Sequence, residues 1–184
     1  MTVISVIKSI IRKKILNLRE KKNKQNIKFS FSEILKKIKK NNLKIIGGYY
    51  PVNFEINILN FLKDLELKGN QISLPVIKKN NEMDYYLWSY QDSLKLNKFG
   101  IPEPDKNKKV IPDIILVPLV AFDKKLFRIG YGGGYFDRYI GKNLNKKNIL
   151  KVGVGYSFQK INKVPTNKFD KKLDIIITEK YIIT

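Results

Sequence analysis

The residues from Phe122 to Arg138 combine types suited to handling phosphate. Gly130, Gly132, Gly133 and Gly134 stand between Arg128 and Arg138, with Asp137 beside the second arginine. Lacking β-carbons, the glycines can take positive φ and turn successive N–H groups toward one anion. The flanking guanidinium groups suit phosphate oxygens met two at a time, and Asp137 suits a hard cation bridging them. The spacing is not a P-loop, since no Gly-Lys-Ser/Thr ends it. It is not Gly-x-Gly-x-x-Gly either, since Tyr135 takes the place of the last glycine. The glycines alone describe a surface loop equally well, and the cations and carboxylate around them favour a ligand site.

Such a loop must be held by rigid elements. Residues 114–121 form a continuous apolar run of the kind carried by a parallel strand buried on both faces. The C-terminal end of such a strand is where open α/β sheets bind ligands. A helix is predicted from about Tyr135, its N-terminal dipole adding to the pull on an anion. Upstream, Val3, Ile7, Ile10, Ile11, Ile15 and Leu18 fall on one face of a first amphipathic helix, followed by a polar connector around Lys21 to Lys28. Ser30 and Glu33 read as the capping box of a second helix. Residues 44–50 read as a strand broken by Gly47-Gly48, and Asn53 as the cap of a helix running to about Leu67. Residues 72–77 and 84–89 read as strands, 100–104 as a stiff two-proline loop, and 152–156 and 174–178 as the last strands. The alternation predicts an α/β fold, a three-layer α/β/α sandwich around a mostly parallel sheet, as a single domain over 1–184.

Composition narrows the chemistry. The 184 residues include no cysteine and no histidine, which removes thiolate and imidazole metal sites, disulfides and His-activated nucleophiles. Any metal is a hard ion on oxygen ligands, and phosphoryl transfer fits best, because its catalysis rests on alignment and charge. The net charge of +21 invites a nucleic-acid reading, but lysines are scattered through every predicted helix and loop and read as solvated surface. No apolar run approaches the roughly 20 residues needed to span a bilayer, and the chain reads as cytoplasmic.

The stretch from Val117 to Arg138 resembles the signature of the 5-formyltetrahydrofolate cyclo-ligase (methenyltetrahydrofolate synthetase) family. The resemblance continues through Tyr50-Pro51 with Glu55, Leu74-Pro75, Phe99-Gly100-Ile101 with Glu103-Pro104, Asp170 with Asp174, and Thr178-Glu179. It implies an enzyme with 5-formyltetrahydrofolate and ATP as substrates and Mg²⁺ as cofactor, most simply a monomer, acting neither on nucleic acid nor at a membrane. The formyl oxygen takes the γ-phosphoryl group, N10 attacks the activated carbon to give 5,10-methenyltetrahydrofolate, and ADP and phosphate leave.

Residue by residue, the resemblance places Lys8, Arg12 and the loop Arg128, Ile129, Gly130, Tyr131, Gly132, Gly133, Gly134, Tyr135 and Phe136 on ATP. It places Tyr50, Glu55 and Tyr131 to Tyr135 on the folate, Asp137 and Asp170 on the metal, and Arg128 and Tyr135 in catalysis. Met83, Trp88 and Phe99 suit either a pterin pocket or core packing. The chain departs from the pattern at Leu119 and Leu126, where the family usually has glycine, and at Ile129, Phe136 and Phe169. A β-carbon at a positive-φ turn costs about 1 kcal/mol or more. The alternatives are a non-catalytic binding module of the same fold and a basic nucleic-acid-binding protein.

Overall fold

The computed structural model describes residues 2–22, 29–143 and 145–184. Residues 23–28 of the predicted connector lie outside them. The described residues form four α-helices, α1 (Val3–Lys22), α2 (Ser32–Lys40), α3 (Leu59–Leu67) and α4 (Tyr135–Asn143). The central sheet is built from β1 (Ile45–Gly47), β2 (Gln71–Ile77), β3 (Met83–Leu87), β6 (Lys109–Val110), β7 (Ile114–Pro118), β10 (Leu150–Val154), β11 (Ile175–Ile177) and β12 (Ile182–Ile183). Two small antiparallel pairs stand apart, β4 (Leu94–Leu96) with β5 (Pro102–Pro104) and β8 (Ala121–Phe122) with β9 (Arg128–Ile129).

The sheet order is β12-β11-β10-β7-β1-β2-β3-β6. The five strands from β11 to β2 are parallel, and β12, β3 and β6 join antiparallel at the edges. Side chains alternate across the sheet, as the two-residue period of a strand requires. Ile114, Leu116, Val152, Ile175 and Ile177 pack with Ile34 and Ile38 of α2 and Phe61, Leu62 and Leu65 of α3. On the opposite face Ile115, Val117 and Ile176 pack with Tyr139 and Ile140 of α4. The predicted three-layer α/β/α sandwich is therefore the observed one. Trp88 and Met83 lie in these cores, whereas Phe99 is exposed.

From β1 the chain runs outward to β2, β3 and β6, then returns to the other side of β1 as β7 and continues to β10 and β11. β1 and β7 are thus parallel neighbours from which the chain departs in opposite directions. The crevice beyond the C-terminal ends of such a pair is the ligand position in open α/β sheets.

Several local expectations are corrected. α2 starts after Phe31 with no side-chain cap: Ser30 bonds Ser32, and Glu33 pairs with Lys36. α3 starts at Leu59, whose amide donates to Asn57 Oδ1, so Asn53 is no cap and instead takes a left-handed φ of 48°. The two-proline segment forms strand β5, with its prolines at the ends of a three-residue edge pairing. The apolar run 114–121 breaks after Pro118.

The face of α1 is corrected in part: Ile11 and Ile15 of the expected apolar face do pack inward. Val3, Ile7 and Ile10 are exposed, and the face turned inward carries Lys8, Arg12, Ile15 and Arg19, spaced four, three and four apart. That spacing is one helical stripe. The helix seats Ile15 beside Val120, Ala121 and Ile129 and so lays three cations across the site.

Candidate functional site

Two turns flank the crevice. The first leaves β1 through Tyr49 and Tyr50 to Glu55. Tyr49 is buried, its hydroxyl donating to Ile56 O at 2.8 Å, and Tyr50 is half-buried. Asn53 and Phe54 both take left-handed φ, 48° and 59°, a conformation costing about 1 kcal/mol or more per non-glycine residue. Glu55 holds the turn: its Oε2 accepts from the Val52 amide at 2.9 Å, and its Oε1 is buried with no partner among the described residues. Burial pushes the Glu55 carboxyl up to about 7, against the lowering pull of the Val52 amide, of Arg19 and of the nearby Tyr131 hydroxyl.

The second turn is the glycine loop between β9 and α4, beyond β7. Gly132 and Gly134 take φ of 105° and 66°, as the sequence requires of them, and α4 begins at Tyr135. Arg12 grips this loop from α1, its Nε donating to Gly130 O at 2.8 Å. A β-carbon on Gly132 would press on the Arg12 guanidinium. Lys8, one turn earlier, places Nζ 2.6 Å from both carboxylate oxygens of Asp170. Of the two α1 cations predicted for the nucleotide, Arg12 therefore touches the glycine loop and Lys8 pairs with the predicted metal ligand Asp170.

Arg128 is buried, with Nη1 donating to Lys171 O at 2.8 Å and Nη2 to Asp137 Oδ1 at 3.1 Å. Burial lowers its pKa, and Asp137 and Asp170 pull it back up. Asp137 Oδ1 also accepts from the Lys171 amide at 2.9 Å. No cluster of three acidic ligands occurs among the described residues. Two carboxylates beside Arg128 are still enough for Mg²⁺, which commonly takes one or two protein carboxylates and completes its shell with phosphates and water. Asp137 has an oxygen without a protein partner among the described residues, whereas Asp170 is held by Lys8 and the Asn167 amide.

Ile129 and Phe136 direct their side chains into core, so their contribution to a ligand is limited to backbone. Arg138 bonds Asn81 O and Gly133 O, bracing the loop. Tyr135 meets Phe99 edge-on, with centroids 6.4 Å apart, and its hydroxyl lies 3.3 Å from Asn81 Oδ1. An open groove of about 560 Å³ is lined by Ile77, Asn97 and four lysines, Lys78, Lys79, Lys98 and Lys106, of which Lys98 is next to Phe99 in the chain.

Sequence reasoning missed Arg19. It is 2% exposed, its Nη1 donates to Asn53 O at 3.3 Å and to Tyr131 Oη at 2.9 Å, and its Nη2 donates to Leu119 O at 2.6 Å. One guanidinium thus joins both turns. Its place on the stripe of Lys8 and Arg12 was the available signal.

The two leucines at glycine positions differ. Leu119 does not take positive φ, and its side chain fills space left by Gly155, where a β-carbon would collide with it. Leu126 has φ of 68°, so the expected strain is present. The turn is held by Asp123, whose carboxylate accepts from the Lys125, Phe127 and Val164 amides, and by the Leu173 amide donating to Leu126 O. Phe169 is exposed, with Lys168 over its ring.

Comparison with known proteins agrees with this geometry. The model of the 5-formyltetrahydrofolate cyclo-ligase family matches residues 4–179. The 5-formyltetrahydrofolate cyclo-ligase of Haemophilus influenzae is 32% identical over 179 residues, covering 93% of this chain and 95% of that protein. A solved 5,10-methenyltetrahydrofolate synthetase from Aquifex aeolicus superposes with a TM-score of 0.72 at 32% identity, covering 96% of this chain and 91% of its own. The Mycoplasma pneumoniae synthetase shares the fold, with a TM-score of 0.69 at 24% identity over 94% of this chain and 99% of its own.

Proposed function

The chain belongs to the 5-formyltetrahydrofolate cyclo-ligase family, and from that premise we propose that it closes 5-formyltetrahydrofolate into 5,10-methenyltetrahydrofolate with conversion of ATP to ADP and phosphate. The observation that carries this reading is the meeting of the two turns at the switch point. A loop of glycines and cations suited to polyphosphate is tied through Arg19 to a turn bearing Tyr50 and Glu55.

The formyl oxygen attacks the γ-phosphorus, ADP departs, N10 attacks the formyl carbon, and the former formyl oxygen leaves as phosphate. Both displacements use nucleophiles of the substrate, in keeping with a chain that has neither cysteine nor histidine. Lys8, Arg12 and the amides from Gly130 to Tyr135 receive the phosphates. Arg128 and Tyr135, at the two ends of the loop, supply positive charge and a phenol donor where negative charge spreads. The Glu55 carboxylate accepts from the donor edge of the pterin, and the Tyr50 ring stacks on it. Asp137 and Asp170 would hold Mg²⁺, which supplies neutralisation of phosphate charge when bound. The groove lined by Lys78, Lys79, Lys98 and Lys106 favours an anionic substrate.

The test is direct. Purified protein given 5-formyltetrahydrofolate and MgATP produces the absorbance of methenyltetrahydrofolate with one ADP formed per product. No product at high enzyme concentration overturns the reading.

A further inference from the structure

Arg19 is costly to keep. Its guanidinium is almost fully buried, and no carboxylate lies within ion-pair distance of it among the described residues. Its Nε has no partner there either. A buried charge without a direct counter-ion destabilises a fold unless its hydrogen bonds compensate. Those bonds go to three separate segments: Asn53 O in the turn after β1, Tyr131 Oη in the glycine loop, and Leu119 O just past β7. The Asn53 carbonyl belongs to the pair of left-handed residues that precedes Glu55. Strained backbone of this kind persists where the surroundings over-determine it, and it concentrates at functional sites. Near the same guanidinium, Glu55 Oε1 is a second buried polar atom without a partner. An acceptor kept dry and unpaired is positioned for a donor that arrives with a ligand.

We infer that Arg19 is a positioning residue for the folate half of the reaction, holding the Asn53–Glu55 turn and the Tyr131 phenol in one fixed relation so that the Glu55 carboxylate meets the substrate ionised and correctly aimed. The inference rests on the cyclo-ligase reading above. Three segments that could move independently become one body through a planar fork of donors. A lysine has the charge but cannot serve three acceptors in a plane.

The charged and titratable groups around Glu55 are Arg19 from α1, Tyr131 from the glycine loop and Tyr49 from the end of β1, with Tyr156 beyond β10 facing Tyr49 and Arg19. Burial raises all three phenols, Tyr131 to about 12, so they stay neutral at ordinary pH. Arg19 is therefore the one cation among these that favours the ionised carboxylate.

Arg19→Met and Arg19→Lys test this against wild type, with steady-state kinetics for both substrates across pH 5.5–9 and with melting curves as the check on folding. Wild type that makes no product contradicts the cyclo-ligase reading and leaves nothing for Arg19 to position. With active wild type, Arg19→Met is expected to raise KM for 5-formyltetrahydrofolate about tenfold or more, with a much smaller change in KM for ATP. The acid limb of kcat/KM for the folate moves to higher pH by about half a unit or more, because the cation that lowers the Glu55 pKa is gone. Arg19→Lys raises the folate KM several-fold and leaves the acid limb in place. An Arg19→Met enzyme with unchanged folate KM and unmoved acid limb overturns the proposal, as does an equal loss for both substrates without a pH shift. If Arg19→Met does not fold, Arg19→Lys decides alone, and an unaltered folate KM in it is fatal.

Discussion

The turn between β9 and α4 is made of glycines and gripped from outside by Arg12, whereas the turn after β1 places Asn53 and Phe54 in the left-handed region and is held from within by Arg19 and Glu55. In the glycine loop the backbone itself is the binding group, and side chains from elsewhere supply charge. In the other turn the backbone is strained so that one carboxylate can be presented. The difference suits two ligands. A polyphosphate is recognised by its charge and tolerates a spread of donors, while a heterocycle with a fixed donor edge needs one acceptor in one place. The nucleotide side also holds its cations ready, Lys8 on Asp170 and Arg128 on Asp137.

This contrast can be broken at either turn. The largest effect is expected on the nucleotide side. Arg128→Ala lowers kcat on the order of 1000-fold, while binding of 5-formyltetrahydrofolate, measured by fluorescence titration, changes little. Equal losses of turnover and folate affinity would show that the turns are not separable. Next comes the packing that supports β7: Leu119→Ala opens a void beside Gly155 and costs about 3 kcal/mol in urea unfolding. A cost near zero would mean that the glycine at this position in the family carries no structural compensation here.

On the folate side, Glu55→Gln separates function from stability. The folded carboxyl stands at about 7 against an ordinary 4.5. Between those values the folded state holds the proton more firmly than the unfolded one, so wild-type stability falls as pH rises through this window. Glutamine carries no such proton. The variant is expected to be about 1–3 kcal/mol more stable than wild type at pH 8, with a weaker pH dependence and roughly tenfold weaker folate binding. Lower stability at pH 8 would contradict the buried carboxylate as described. The smallest effect is expected at Leu126→Gly, where relief of strain and lost side-chain packing nearly offset each other, to within about 1 kcal/mol.

Much of this was legible before any coordinates. Residues 114–117 announced a buried parallel strand by continuous hydrophobicity, and the glycines, arginines and Asp137 announced an anion loop by residue type. The strand order was not legible, because period and propensity act along the chain while pairing is decided across it. The switch point that brings Glu55 near Tyr131 therefore appeared only in the structure. Phe54 gave no signal of positive φ, since its conformation is imposed by the contacts of Glu55 and Arg19, whereas asparagine such as Asn53 takes it more readily. Arg19 was hidden for a related reason. An arginine on an amphipathic helix reads as solvated, and the apolar Val3, Ile7 and Ile10 drew the expected inward face partly around α1 from the observed one, which keeps Ile11 and Ile15.

The central claim is that the two turns form one site with two kinds of recognition. It is tested most directly by amide chemical-shift mapping of the 21.5 kDa chain with 5-formyltetrahydrofolate and with a non-hydrolysable ATP analogue plus Mg²⁺. The account predicts folate-induced shifts centred on Tyr50, Glu55 and Tyr131, nucleotide-induced shifts centred on Arg12, Arg128 and Gly130, and overlap confined to Tyr131–Tyr135. Shifts from the two ligands on unconnected surfaces, or none at the turn after β1, would contradict it.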